Sequence, residues 1–173
     1  MVEVRHATAP DQVPGMTTDR LRARFLAEGL FTSGEIRLVY SHEDRIVIGG
    51  ASPGDTPLEL PCPDPLRAGY FLERRELGVV NVGAPGTVTV DGTPYDLAPK
   101  ECLYAARGSR SVTFSGGPFY LVSTPRTATT PPSRPAWRTP SPSTWAPRRA
   151  PTSARSTSTS TPRASRAPSW SSA

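Results

Sequence analysis

The last 48 residues of the chain, 126–173, contain no acidic residue, no lysine, and no Leu, Ile, Val, Phe or Tyr. This tail uses six amino-acid types only (Arg, Pro, Ser, Thr, Ala and Trp), and it holds nine of the chain's 21 prolines. A segment with so little to bury cannot offset the entropy lost on ordering. The composition therefore excludes a packed second domain and predicts a disordered tail.

Three interpretations of the tail remain open. It could be a Pro/Ser/Thr-rich stalk, or an arginine-rich nucleic-acid tail in which Trp137, Trp145 and Trp170 stack on bases. It could also be the product of a frameshift. All six residue types can be encoded with C or G at the second codon position, which is what a shifted reading of a GC-rich gene gives. Read one base earlier, the stretch from Ala136 can give GVADAEPVHLGAAE, which looks like ordinary globular sequence. We favour the frameshift interpretation.

The body, residues 1–125, lacks the net positive charge of the whole chain. All 15 acidic residues lie in the body, whereas eight of the 20 basic residues lie in the tail. The net charge is thus −3 for the body and +8 for the tail, which excludes a basic nucleic-acid-binding domain. No nucleic-acid partner is expected.

The body also lacks the marks of a membrane or secreted protein. No apolar run approaches 18 residues, so no membrane span is expected, and the N-terminus shows no apolar signal region. The two cysteines, Cys62 and Cys102, are too few for a disulfide framework. These absences lead us to expect a cytoplasmic protein.

Period-two patterns dominate the body and predict a mainly β fold. Thr17 to Asp19 supply N-cap candidates for one short helix at about 19–28, with Gly29 as its C-terminal glycine. The Asp91-Gly92 pair predicts a hairpin turn, and the proline-rich segment 51–69 predicts a long loop. Residues before the helix show no pattern and are expected to form an arm. Nine strands are predicted, at 35–40, 45–50, 69–76, 77–83, 86–92, 94–98, 101–106, 111–116 and 118–123.

Three stretches of the body resemble one enzyme family. They are YSHEDRIVIGG at 40–50, YFLERRELGVVNVG at 70–83 and GTVTVDGTPYDLAPKECLY at 86–104. With the helix segment RLRARFLAEGLF, they are similar to 5-keto-4-deoxyuronate isomerase (4-deoxy-L-threo-5-hexosulose-uronate ketol-isomerase). Members of that family have two cupin-type jelly rolls, and this chain resembles the first only. The resemblance implies a cupin-like jelly roll for residues 1–125 and a homo-oligomer, a hexamer in the family.

The resemblance also implies a reaction class. The family converts 5-dehydro-4-deoxy-D-glucuronate to 3-deoxy-D-glycero-2,5-hexodiulosonate in pectin and uronate degradation, with a zinc ion held by histidines and one glutamate of the second cupin. The corresponding places in the first cupin are Tyr70, Leu72 and Leu77, whose side chains do not ligate zinc. We therefore expect no metal ligand and no catalytic residue in this chain, and no isomerase activity from it.

Candidate substrate-binding residues lie in the family-like stretches. Arginine forks match carboxylates, and His42 ends a predicted strand where it could line a cavity or meet a neighbouring subunit. The alternatives are a hydrogen-bonded turn histidine and structural ion pairs on a strand. The candidates are His42, Arg45, Glu73, Arg74, Arg75 and Glu76.

Three functions follow as hypotheses. The first is a uronate ketol-isomerase of which this chain supplies a part. The second is a non-catalytic module that binds a sugar acid or assembles an oligomer. The third is an arginine-tailed RNA binder, which salt-sensitive nucleic-acid affinity lost on deleting residues 126–173 would support.

Overall fold

The computed structural model describes residues 2–126, which form ten strands, one α-helix and two single turns of 3₁₀ helix. The predicted tail, apart from its first residue, lies outside the described residues. The helix α1 is Thr18–Phe25, and the 3₁₀ turns are Pro10–Gln12 and Asp64–Leu66. The strands are β1 (Val2–Arg5), β2 (Glu35–Ser41), β3 (Val47–Ser52), β4 (Leu58–Glu59), β5 (Arg75–Asn81), β6 (Gly86–Val90), β7 (Thr93–Leu97), β8 (Cys102–Ala105), β9 (Val112–Gly116) and β10 (Phe119–Pro125).

The strands form two sheets around one core. The six-stranded sheet has the order β1-β2-β3-β10-β5-β8, and the four-stranded sheet has the order β4-β9-β6-β7. Every strand pair is antiparallel except β1 with β2. The inward-facing side chains of both sheets join in a single hydrophobic cluster, in which Phe114 of β9 packs against Phe119 of β10 with ring centroids 5.6 Å apart. This confirms the predicted mainly β, cupin-like jelly roll.

Two glycines lie where the backbone requires them. Gly92 is in a predicted hairpin turn, and Gly50, in a family-like motif, lies where another segment passes close to β3. Asp91 and Gly92 both have positive φ angles, 48° and 80°, as a two-residue turn between β6 and β7 requires. At Gly50, an added Cβ would lie 2.4 Å from the carbonyl oxygen of Leu30. The chain entering β2 can therefore pass directly over β3 because Gly50 has no side chain.

Three predictions about local structure were wrong. Residues 69–74 form turns rather than a strand, and β5 begins only at Arg75. The supposed N-terminal arm contains β1, which extends the larger sheet by parallel pairing with β2. The predicted loop 51–69 contains the short strand β4, which pairs with β9. β1 and β4 are strands because they pair with strands that are distant in sequence. They have only four and two residues, respectively, which is too few for a local pattern to predict them.

The helix α1 is shorter than predicted and ends at Phe25, with Leu26 as its C-cap and Thr17 as its N-cap. None of its residues is buried within the described part of the chain, and Phe25 is 52% exposed. No helix among residues 2–126 has the length and hydropathy of a membrane span.

Candidate functional site

Arg75 is the most unusual candidate, because it is a charged residue only 6% exposed. Alternation along β5 turns Arg75, Leu77 and Val79 toward the core, which places Arg75 at one end of the buried row. Its guanidinium donates from Nε to the Ser123 hydroxyl (3.1 Å), and from Nη2 to the carbonyls of Ser123 and Arg45 (2.7 Å each). Within the described residues, no carboxylate pairs with it.

A cavity of about 150 Å³ opens beside Arg75, and we call it the arginine pocket. Three arginines line it, and its other walls are largely apolar. Its residues include Tyr40, Arg45, Leu66, Arg74, Arg75 and Pro125. Burial lowers the pKa of Arg75; the neighbouring Tyr40 opposes this effect, and the positive charge of Arg45 lowers the pKa further.

Glu73 lies outside the pocket wall and is used locally. Its carboxylate accepts a hydrogen bond from the Gly69 backbone N–H (2.6 Å) and contacts Arg74 Nη2 at 3.4 Å. Its backbone carbonyl accepts from Arg107 Nε (2.9 Å). The Gly69 hydrogen bond is the main cause that lowers the pKa of Glu73. These contacts hold the turn that leads into β5.

Glu76 belongs to a separate polar cluster on the opposite face of β5. Its carboxylate accepts hydrogen bonds from the Tyr104 hydroxyl (2.7 Å), from Thr124 (3.4 Å) and from Arg126 Nη1. Partial burial raises the pKa of Glu76, but the hydrogen bonds from Tyr104 and Arg126 outweigh it, so the net shift is downward. The cluster joins β5, β8 and the end of β10.

His42 is exposed and stacks on His6, with ring centroids 5.0 Å apart and planes 10° from parallel. The edge of Tyr40 meets the His42 ring at 5.1 Å. The backbone N–H of His42 donates to the carbonyl of Arg5, which continues the pairing of β1 with β2. The two histidines are 36 positions apart in sequence, and the parallel pairing brings them together.

The described residues do not fit the zinc ion that the resemblance implies. Leu72 and Leu77, at two of the ligand-equivalent places, are 1% and 0% exposed within the core. Tyr70, at the third, lies under the guanidinium of Arg110 at 5.3 Å. Among residues 2–126, no group of three or more His, Cys, Asp or Glu side chains is arranged to hold a metal. The chain's whole complement of histidine is His6 and His42.

The structure thus divides the six candidates among four places. Arg45, Arg74 and Arg75 meet at the arginine pocket, whereas Glu73, Glu76 and His42 each have other partners. Sequence reasoning missed Tyr40 as a pocket residue. Counting back in steps of two from Leu77 would have indicated that Arg75 points inward.

The Glu76 cluster gives a pH-dependent prediction. A carboxyl group whose folded pKa lies below its ordinary value of 4.5 stabilises the fold fully above that value, and the stabilisation is lost as pH falls through the lower folded pKa. We expect Glu76→Gln to lower the free energy of unfolding at pH 7, with the deficit shrinking steadily below about pH 4.5. Urea unfolding followed by circular dichroism at several pH values would measure it. A deficit that is constant from pH 7 to pH 3 would contradict the assignment.

Comparison with known proteins extends these observations. The chain is 52% identical over 128 residues to the 4-deoxy-L-threo-5-hexosulose-uronate ketol-isomerase of Halalkalibacterium halodurans, covering 70% of this chain and 46% of that protein. It is 48% identical over 133 residues to the protein of the same name from Kineococcus radiotolerans, covering 72% and 48%. The Bacillus subtilis protein of that name is 46% identical over 127 residues, with coverage of 70% and 46%.

Two of the similar solved structures are named cupins. The Schizosaccharomyces pombe Cnp3 cupin domain has a TM-score of 0.39 at 12% identity, over 53% of this chain and 60% of that one. A cupin protein from Bacteroides fragilis has a TM-score of 0.33 at 16% identity, over 49% and 66%. No protein-family model matches the chain.

The sheet topology and the single core define the described part as a cupin-like β domain. By sequence, the chain is related to the 4-deoxy-L-threo-5-hexosulose-uronate ketol-isomerases, and the match is consistent with their N-terminal half. The chain spans about half the length of the curated relatives it matches.

Proposed function

We propose that residues 1–125 are the metal-free, N-terminal cupin half of a uronate ketol-isomerase. The observation that carries this proposal is the 46–52% identity to curated ketol-isomerases over about half of their length. The reaction proposed for the complete enzyme is the conversion of 5-dehydro-4-deoxy-D-glucuronate to 3-deoxy-D-glycero-2,5-hexodiulosonate. In this proposal, zinc and its ligands belong to the other half.

The chemistry of the described residues supports a non-catalytic role for this half. Moving a proton between adjacent carbons requires a base and an electrophile that stabilises the enediolate. The places that would hold a metal are filled by the core residues Leu72 and Leu77. These side chains instead stabilise the jelly roll on which a second half and further subunits can assemble. The proposal includes a homo-oligomer in the cytoplasm, a hexamer as in the family.

A second candidate function is a sugar-acid-binding module that acts without catalysis. The arginine pocket favours it, because three arginines converge on one small cavity. The two candidates are compatible if the pocket binds a carboxylate while a separate half carries out the reaction.

A domain exchange tests the proposed function. Residues 1–125 would replace the matching half of the Halalkalibacterium halodurans ketol-isomerase, and turnover of the open-chain ketouronate would be measured. We expect an active chimera, because 52% of the aligned residues are identical to those that they would replace. A matched control carries the same exchange with Leu77→Glu, which buries an unpaired charge and should prevent folding of the exchanged half. A chimera that folds and binds zinc but remains inactive would contradict the proposal.

A further inference from the structure

The arginine pocket holds more positive charge than its protein partners neutralise. Arg45, Arg74 and Arg75 line it, and no acidic side chain among the described residues contributes to its wall. The carboxylate of Glu73 forms an ion pair with Arg74 at 3.4 Å, and that of Glu76 is engaged by the Tyr104 cluster, so no described carboxylate pairs with Arg45 or Arg75. Positive charges that line one small cavity repel each other, and an anion bound among them would relieve this repulsion.

Arg75 has one donor that the protein leaves available. Its Nε and Nη2 are used by Ser123 and by the carbonyl of Arg45. Nη1 takes part in none of these bonds, and the described residues contain no buried side-chain nitrogen that lacks a partner. Nη1 is therefore accessible, and the cavity is the space that Arg75 lines.

The backbone around Arg45 holds this arrangement in place. Asp44 and Arg45 both adopt left-handed conformations, with φ of 51° and 53°, in the turn before β3. This turn directs the Arg45 carbonyl to Arg75 Nη2 at 2.7 Å. Because the guanidinium of Arg75 is held by three hydrogen bonds, an incoming anion meets a donor that is already oriented.

The size and walls of the pocket restrict the anion. The pocket is small, with a volume of about 150 Å³. Leu66 and Pro125 present apolar surface beside the arginines. A planar carboxylate with a short carbon chain satisfies both the charges and the apolar walls, whereas a phosphate would place oxygen against apolar carbon.

We propose that the arginine pocket is a binding site for a small carboxylate, formed by Arg45, Arg74 and Nη1 of Arg75, with Tyr40 beside them. The carboxylate can be a free short-chain acid, or the acid group of a sugar acid whose remainder stays outside the pocket. The inference deepens the second candidate function, the sugar-acid-binding module, and does not depend on the ketol-isomerase assignment.

Titration of the full 173-residue chain with acetate, D-glucuronate and phosphate, at fixed ionic strength, tests the proposal. Binding is followed by the rise in melting temperature and by the NMR signal of the Arg75 Nε–H group. We expect saturable binding of a carboxylate that shifts this signal. Arg45→Gln should weaken the binding at least about tenfold, and its left-handed backbone tolerates Gln as it tolerates Arg.

Arg37→Gln is the matched control. Arg37 is exposed, pairs with Glu35 and does not line the pocket, yet its substitution changes the net charge equally. The eight arginines of the tail are present in both variants, so nonspecific anion binding cancels. If glucuronate binds and acetate does not, the ligand is a sugar acid; if both bind equally, it is a short acid. Equal weakening by both substitutions, phosphate binding as strong as carboxylate binding, or no saturable binding would overturn the proposal.

Discussion

The 173-residue chain is expected to give no ketol-isomerase turnover above background, with or without added Zn²⁺. The reaction develops negative charge on an enediolate, and a metal Lewis acid contributes several kcal/mol to its stabilisation. Since each 1.36 kcal/mol is a factor of ten in rate, losing that contribution alone corresponds to a loss of about a thousandfold or more. Residues 126–173 contain no His, Cys, Asp or Glu, and among residues 2–126 no three such side chains are grouped as the three protein ligands of catalytic zinc require.

The measurement combines a metal assay with a turnover assay. Purified chain, incubated with Zn²⁺ and dialysed, is analysed for bound zinc and assayed with the open-chain ketouronate. The Bacillus subtilis ketol-isomerase, treated in the same way, serves as the control for substrate and metal loading. One zinc per chain together with measurable isomerisation would show that a site exists outside the places considered above. Turnover recovered after restoring the reading frame beyond residue 125 would support the frameshift hypothesis.

Local pattern predicted most of the larger strands of the fold. β5 to β10 follow period-two alternation or short apolar runs, and the Asp91-Gly92 turn was predicted from its residue types. The error at 69–74 has a physical reason. The stretch GYFLERRE has the aromatic and aliphatic content of a strand, but Phe71 and Leu72 enter the core from a turn. Composition alone cannot distinguish these two ways of burying the same side chains.

The candidate site was less predictable, because distant segments form it. The residues of the arginine pocket come from the end of β2, the turn before β3, the loop before β5, the first residue of β5 and the end of β10. Because ERRE is a run of charged residues, the sequence predicted one substrate-binding group formed by Glu73, Arg74, Arg75 and Glu76. Strand alternation instead sends Arg75 and Glu76 to opposite faces of β5. The stacking of His6 on His42 depends on a parallel pair that no local signal indicates.

Asn81→Leu is expected to lower the free energy of unfolding by about 3–5 kcal/mol, a large part of the stability of a domain of this size. Asn81 is completely buried at the end of β5. Its side-chain amide donates to the carbonyls of Ala84 (2.9 Å) and Leu97 (2.8 Å), and its Oδ1 accepts from the Gly83 backbone N–H (2.9 Å). One side chain thus satisfies three backbone groups of two separate segments.

Leucine has the same branched heavy-atom skeleton as asparagine, although its methyl groups take more space, and it can make none of these bonds. The bond to the Leu97 carbonyl is buried, and one buried group left without a partner costs about 1–3 kcal/mol; the part-buried bonds to Gly83 and Ala84 add to this loss. Val82→Leu is the matched control, because the neighbouring Val82 is 49% exposed and its substitution should change stability by no more than about 0.5 kcal/mol. Urea unfolding should be followed by far-ultraviolet circular dichroism, since all three tryptophans lie in the tail and residues 1–125 contain none.

A second substitution separates lost hydrogen bonds from altered packing at the same position. Asn81→Asp keeps the acceptor for Gly83 but directs a carboxylate at the carbonyls of Ala84 and Leu97. Burial beside these acceptors raises the pKa of the new carboxyl group, so its protonated form, which can donate one hydrogen bond, is favoured in the folded state. The aspartate variant should therefore be destabilised at pH 7 and recover part of its stability, relative to the parent chain, as pH falls toward 4. A leucine variant within about 1 kcal/mol of the parent, or an aspartate variant whose deficit does not change with pH, would contradict the assigned role of Asn81.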